Sequence, residues 1–422
     1  MSIAPALRSS VPHTLAMDHL NQKAQEFLER LDARHVRRSL QSLCPGPGNI
    51  VWRGGRALVN FSSNNTLGLA GHPRLIERAS RWAGAYGVGA TASRLVCGTL
   101  PLHEQIEEKL AAFKGTETAL ILNSGFQANS SLLPALLDPE FLGAEPVVLV
   151  DRLIHASLHQ GCAAARVHPI RFRHNDLDHL ETLLRKHAGV GRQPFIMTES
   201  VFSMDGDRAA LAPLATLAER FGAVFYVDEA HATGLFGPRG EGLVAAEAPG
   251  RVEVIMGTFS KALGGFGAYV ACSRRLRDYL INRCAGFLYS TALPPPVLGA
   301  MDAALDLVPS LGAERAHVHV LAARLRGALT AAGLSVAGSS THIVPAILGD
   351  EAATLAAVRI LAEEHGVLTI AIRPPTVPPM TSRLRFSLNA LHDEAAIGRL
   401  LAAAPVLSTM ARPAVMRQRA VS

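Results

Sequence analysis

From about Pro73 onward, short apolar runs alternate with amphipathic stretches, and that alternation leaves few folds open. Thr118–Leu122, Val147–Val150, Phe195–Glu199, Val224–Asp228, Val254–Gly257 and Ala268–Ala271 each have the length of one strand. Between several of them lie helical patterns, His155–Ala165, Leu177–His187 and Leu211–Phe221, with apolar residues three and four apart. Strands that are apolar on both faces belong inside a sheet covered on both sides. A helix between successive strands makes them parallel. The pattern therefore predicts an α/β chain with a mostly parallel central sheet. Pro73 and Pro101 each stand where a first helical turn begins, a position that needs no backbone N–H.

The flanks read differently. Asp18–Leu40 has Leu20, Ala24, Phe27, Leu28 and Leu31 on one helical face. A loop rich in Gly and Pro, Cys44–Asn49, and a strand, Ala57–Phe61, follow. Helices dominate up to about Ala332. Then come strand Ile343–Leu348, helix Glu351–His365, strands Val367–Ile372 and Leu384–Leu388, and helix Asp393–Ala403. That is the pattern of a small C-terminal α+β domain. The division expected is an N-terminal helix and arm (1–60), a large domain (61–305), a small domain (306–407) and a disordered tail (408–422).

Met1–Thr14 lacks the apolar core of a secretory signal. Its lack of acidic residues weakly resembles a transit peptide, and a frayed tail accounts for it more simply. No stretch offers the roughly 18 apolar residues of a membrane span. Five scattered cysteines with no C-x-x-C pair argue for a reducing compartment, the cytoplasm, and against a metal site. The net charge of +6 is diffuse apart from Arg412, Arg417 and Arg419. It can help attract an anionic substrate, but no basic cluster interleaved with aromatics points to nucleic acid.

The chain has 36 arginines and only five lysines. Arginine replaces lysine easily on a solvated face, but it cannot serve where a titratable amine is required. Each surviving lysine is therefore informative. Lys23, Lys109, Lys114 and Lys186 lie in or at the ends of amphipathic helical patterns and read as surface positions. Lys261 lies in Gly257-Thr-Phe-Ser-Lys-Ala-Leu-Gly-Gly265, between an apolar strand and paired glycines.

Other unusual residues fall at the carboxyl ends of expected strands, where open parallel sheets bind ligands. Val224–Asp228 ends in a carboxylate, with His231 three residues later. Asp-Glu-Ala-His also spells a nucleotidase motif, but that reading requires a phosphate loop containing Gly-Lys, and the dipeptide is absent. A structural ion pair, or a contact with the protonated nitrogen of a pyridine cofactor, remains; Lys261, 33 residues on, favours the second. Ser124-Gly125-Phe126 carries a strand into a helix whose N-terminus suits a phosphate, with hydroxyls available from Thr258 and Ser260. Strand–Gly–helix turns are common, so this signal is weak alone. His155 can stack on a cofactor ring or merely cap a helix. Ser203 lies in a polar turn after a strand. Arg373, held extended by the prolines that follow it, can grip a carboxylate or stand on the surface.

Together, Thr258-Phe-Ser-Lys261-Ala-Leu-Gly-Gly, Val227-Asp-Glu-Ala-His231-Ala-Thr-Gly and Glu199–Gly206 resemble the α-oxoamine synthases, fold-type I pyridoxal-phosphate (PLP) transferases. The similarity runs from about Leu31 to Leu401. These acyltransferases condense an amino acid with an acyl-CoA and release CO₂. The resemblance implies that Lys261 is the Schiff-base lysine and Asp228 the pyridinium partner. It also implies that His155 stacks on the ring, that His231 and Ser203 bond near its phenolic oxygen, and that Ser124, Gly125, Phe126 and Thr258 hold the phosphate. Ser290-Thr291 matches a segment that reaches the phosphate of the other subunit, which implies a homodimer with shared active sites. Asn64 matches an active-site asparagine, and Arg373 would hold the substrate carboxylate.

Ala371-Ile-Arg-Pro-Pro-Thr-Val-Pro378 is most similar to the branch that makes 8-amino-7-oxononanoate for biotin. That branch implies L-alanine with pimeloyl-CoA, or pimeloyl on a carrier protein. A serine- or glycine-using member and a PLP aminotransferase are the alternatives. Asn64-Asn-Thr-Leu-Gly68 and Gly89–Gly98 depart from the family's usual spelling near the substrate entrance. Asn65, Thr66 and Arg94 are therefore candidates for selecting the acyl chain.

Overall fold

Seven strands, β1 (Thr118–Leu122), β2 (Glu145–Asp151), β3 (Ile170–Phe172), β4 (Arg192–Glu199), β5 (Val224–Asp228), β6 (Val254–Thr258) and β7 (Ala268–Cys272), form one sheet in the order β1-β7-β6-β5-β4-β2-β3. The computed structural model describes residues 15–411. Pairings from β3 through β2, β4 and β5 to β6 are parallel. Only β7 runs against its two neighbours. The strand ends Leu122, Asp151, Glu199, Asp228 and Thr258 consequently share one edge.

Alternate residues of each strand feed two cores. Phe225 and Val227 of β5 join Ile121, Ile196 and Ile255 on one face. Tyr226 joins Leu120, Met197 and Met256 on the other. Burying each such side chain contributes about 1.5–3 kcal/mol before entropy is counted. Gly257 lies opposite Tyr269 of β7, where any Cβ would collide with the phenol ring. That lets the Tyr269 hydroxyl reach Thr233, 2.7 Å away.

The C-terminal domain has a three-stranded antiparallel sheet in the order Ile343–Gly349, Ser382–Ser387, Ala371–Ile372. Helices Gly312–Ala331, Glu351–Glu364 and Glu394–Met410 accompany it, and Leu325, Leu361, Phe386 and Leu400 share its core. Val59 and Phe61 belong to the same core.

Several expectations change here. Val367–Ile372 is not one strand. Val367–Leu368 pairs in parallel with Arg56–Asn60, whereas Ala371–Ile372 joins the C-terminal sheet, because the two halves find partners in different sheets. The opening helix is Leu15–Ala33 and ends well before Leu40, as His35 turns to a φ of 54° and Val36 N–H donates to the Leu31 carbonyl. The last helix continues to Met410, so Ser408 is helical. The expected N-terminal tail and Arg412, Arg417 and Arg419 lie outside the described residues.

Two lysines differ from the free surface positions expected: Lys109 is half-buried in an ion-pair network and Lys114 is buried. Lys109 bridges Asp302 and Asp306 at 2.5 and 2.8 Å, beside Arg78. Lys114 is fully buried; its amine meets the Glu229 carboxylate and the Glu241 carbonyl. Closing a helix whose Leu110, Ala111 and Phe113 are buried carries this lysine beneath the sheet. Lys114→Met would leave Glu229 buried and unpaired, and should cost about 3–5 kcal/mol. Lys114→Met with Glu229→Gln should recover most of that loss, measured by urea unfolding.

Candidate active site

At the carboxyl edge of the sheet, a loop after β6 carries Lys261 between Ser260 and the turn closed by Gly264 N–H on the Lys261 carbonyl. Burial pulls its amine down to about 8; Asp228 and Glu199 push back up, and Arg385 pulls down further. The side chain is thus poised as a base near neutral pH.

Asp228 ends β5, 5% exposed. Its Oδ1 accepts from the Ala230 N–H at 2.9 Å and its Oδ2 from Asn129 Nδ2 at 2.8 Å. Asn129 also donates to Ser157 Oγ at 2.9 Å and accepts from the Tyr226 hydroxyl at 2.6 Å. Ser157 lies 2.8 Å from Nδ1 of His155, the cap residue of helix Ala156–Ala164. His155 is therefore both a helix cap and one end of a relay to Asp228. Burial, opposed by Asp228 and aided by Lys261, lowers its pKa and keeps the ring neutral. With Nδ1 accepting from the Ser157 N–H, the proton belongs on Nε2.

Glu199 ends β4 directly beside Asp228 in register. Its Oε1 has no partner, and burial, then Asp228, raises its pKa well above the ordinary carboxyl value. The shift favours its neutral form. His231 is buried near His342, ring centroids 6.2 Å apart, and burial with Lys261 and Arg385 nearby keeps it neutral.

Ser124 caps helix Gly125–Leu136, its Oγ accepting from the Gln127 N–H. A Cβ at Gly125 would come no nearer than 3.9 Å to Thr258, so the turn has an open face. The Phe126 side chain is exposed, which leaves its backbone to face a phosphate. Thr258 Oγ1 lies 2.7 Å from Ser260 Oγ and donates to the Gly267 carbonyl. Ser290 Oγ accepts from Gln127 Nε2 at 2.6 Å, and the Thr291 carbonyl accepts from Asn123. Both thus flank this turn within their own chain.

Ser203 and Asn64 meet at Arg385, whose Nε donates to the Ser203 carbonyl at 2.6 Å and whose Nη atoms approach Asn64 Oδ1 at 3.3 Å. Arg385 is buried, which lowers its pKa to about 10 and leaves it cationic at neutral pH. Arg373 lies apart. Its Nη1 donates to the His35 carbonyl and its Nη2 to that of Arg37 at 3.3 Å, latching the segment that follows the opening helix.

Two entrance candidates are tied into the fold. Arg94 pairs with buried Glu107 at 2.9 Å, and Thr66 is buried against the Asn64 carbonyl. Sequence reasoning missed Asn129, Tyr226, Ser157, Glu199, Arg385 and His342. The one signal available was polar residues at otherwise apolar positions, Asn129 in its helix and Tyr226 in its strand.

These residues suit PLP. Among the described residues Asp228 hydrogen-bonds only to neutral donors, so this buried carboxylate, near the Lys261 amine, has room to receive a pyridinium ring as well. Lys261 is the amine facing it, and the turn at Ser124–Gly125 is free for a phosphate.

The chain matches the model of the family aminotransferase class I and II over residues 56–403. It is 58% identical over 387 residues to a putative 8-amino-7-oxononanoate synthase of Bordetella pertussis, covering 92% of this chain and 97% of that protein. It is 56% identical over 383 residues to the 8-amino-7-oxononanoate synthase of Gluconacetobacter diazotrophicus, covering 90% and 95%. The structure of a serine palmitoyltransferase carrying PLP superposes with a TM-score of 0.84 at 26% identity, covering 94% of this chain and 99% of that one.

In cofactor-stripped protein, modification of Lys261 by an amine-selective reagent should rise with pH around a midpoint near 8. Asp228→Asn should move that midpoint lower, since the carboxylate favours the protonated amine. Peptide mapping across a pH series reads both.

Proposed function

This chain belongs to the aminotransferase class I and II family, and on that footing we propose that it is a PLP-dependent acyltransferase that condenses L-alanine with a pimeloyl thioester. The products are 8-amino-7-oxononanoate, a biotin precursor, CO₂ and the free thiol; the donor is pimeloyl-CoA or carrier-bound pimeloyl. The observation that carries the reading is Asp228, buried with only neutral hydrogen-bond donors near the Lys261 amine and linked by Asn129 and Ser157 to His155. Its likeness over nine-tenths of its length to the 8-amino-7-oxononanoate synthases supports the choice of reaction.

When bound, PLP supplies the electron sink for the pair left at the amino acid's α-carbon. Lys261 would tether it, Asp228 would hold its ring nitrogen, and neutral His155 would lie on its face. His231 and Ser203 would flank its phenolic oxygen, with Ser124, Gly125, Phe126 and Thr258 at its phosphate. Lys261, released by the incoming amino acid, takes the α-proton onto Nζ. Partial neutrality near pH 8 suits it to that transfer. Arg373 is assigned the substrate carboxylate. Its Nη atoms hold the His35 and Arg37 carbonyls, while its Nε, buried without a partner, is left to donate. Asn64 and Arg385 frame the opposite wall.

A homodimer fits the surface. Tyr289 is 85% and Val96 78% exposed, and with Leu95 and Phe126 they surround the Ser290–Thr291 segment assigned to the partner's phosphate. Among the described residues no helix is long and apolar enough to cross a membrane. All five cysteines are free, in keeping with a cytoplasmic enzyme.

Crossing alanine, glycine and serine with pimeloyl-, acetyl- and palmitoyl-CoA in a thiol-release assay tests the reading. Alanine with pimeloyl-CoA should give thiol and CO₂ in equal amounts. Preference for serine with palmitoyl-CoA, or transamination without thiol release, would overturn it. Lys261→Ala should lose about 10²–10⁴ in rate or more, as expected for a missing general base, while the protein still folds.

A further inference from the structure

We propose that His174 is a positioning residue, an imidazolium that clamps together the two loops carrying His155 and Ser203. This deepens the function above and rests on its assignment of those two residues to the cofactor. His174 follows β3 and faces two carboxylates. Its Nδ1 lies 2.9 and 3.0 Å from the two oxygens of Asp151, and its Nε2 lies 2.7 Å from Asp207 Oδ2. A neutral imidazole has one N–H and would aim a lone pair at one of these carboxylates. With both nitrogens on carboxylate oxygens, the ring must carry both protons. Burial opposes the charge, but the hydrogen bonds to Asp151 and Asp207 outweigh it and raise the pKa to about 9.

Each carboxylate belongs to a different active-site loop. Asp151 ends β2 and also receives the Leu153 N–H, at the start of the turn that leads to His155. Asp207 lies in the turn after β4, where the Phe202 N–H donates to the Asp207 carbonyl and Ser203 follows. Asn175 adds a second tie, donating to Asp207 Oδ2 at 2.9 Å and to the Arg208 carbonyl at 3.0 Å. The His174 ring meets Phe202 edge-on, centroids 4.5 Å apart. One cation thus fixes the separation of the loop beneath His155 and the loop bearing Ser203.

The groups around it are Asp151 from β2, Asp205 and Asp207 from the turn, and Arg383 from the C-terminal sheet. Asp205 is paired with Arg383, so the clamp's own charge balance is His174 against Asp151 and Asp207. His174, Asp205 and Asp207 are close enough to suggest a metal site. Both ring nitrogens are already committed as donors and Asp205 to Arg383, which favours the clamp.

The test uses the PLP-loaded enzyme. Histidine-labelled NMR should find both His174 ring nitrogens protonated at pH 7.5; a neutral ring, or a signal moved by added Zn²⁺ or Mn²⁺, would overturn the proposal. His174→Gln and, separately, Asp207→Asn should shift the cofactor's visible absorption band. They should also lower kcat by roughly ten- to a hundredfold, the scale of a misplaced catalytic geometry, with little change in KM for the acyl donor. His174→Arg should restore part of the rate. Variants that lose thermal stability while keeping the wild-type spectrum and kcat would reduce His174 to a structural role and sink the idea. Because the folded pKa is raised, the stability His174 contributes should be full below about pH 6.5 and vanish as pH rises through about 9. If the wild type failed to bind PLP, the functional assignment would fall, while the NMR result would still decide whether His174 is a cation.

Discussion

Asp151, Glu199 and Asp228 end three neighbouring parallel strands, all nearly out of water, and the carboxyl edge is organised around keeping them there. A buried carboxylate left alone costs several kcal/mol. Each of the three is relieved differently. Asp151 takes an imidazolium and two backbone N–H groups. For Glu199, burial first and then the neighbouring Asp228 charge raise the pKa well above the ordinary carboxyl value, which favours the neutral form. Asp228 is hydrogen-bonded by neutral donors only, the feature on which the proposed contact with a cationic ring rests.

Keeping Asp228 in that state depends on residues away from the reacting atoms. Asn129 reaches it from helix Gly125–Leu136, the same helix whose first turn is offered to a phosphate. The two ends of the cofactor would therefore be registered by one rigid element. Tyr226, two residues before Asp228, orients Asn129 through its carbonyl oxygen. On the far side of the sheet, Glu229 turns away from the site to meet Lys114 and the Val244 N–H. Adjacent acidic residues thus serve opposite faces, one chemistry and the other the fold.

The C-terminal domain closes the site with arginines rather than with apolar contacts. Arg383 reaches Asp205, and Arg385 reaches the Ser203 carbonyl and Asn64. Both leave one short strand, Ser382–Ser387, so a movement of that strand would be felt on two walls of the pocket at once. Arg373, at the end of the adjacent strand Ala371–Ile372, is tied instead to the backbone after the opening helix.

The strand pattern, the lone useful lysine and the acidic strand end were legible in the chain, because each depends on local periodicity or on the chemistry of one side chain. Of the six central-sheet strands, five match to within two residues at each end. Val367–Ile372 failed because two residues cannot declare which sheet will pair with them. Lys114 was misread because amphipathic spacing does not report what later packs beneath a helix. The relay of Asn129, Ser157 and Tyr226, the choice of Arg385 over Arg373 beside Asn64, and the charge on His174 join residues 23 to 321 positions apart. The sequence by itself determined that Lys261 and Asp228 would stand at the carboxyl end of a parallel sheet. Only the tertiary structure decided which groups hold them charged, neutral or aligned, because burial and the identity of the nearest partner exist only once distant segments meet.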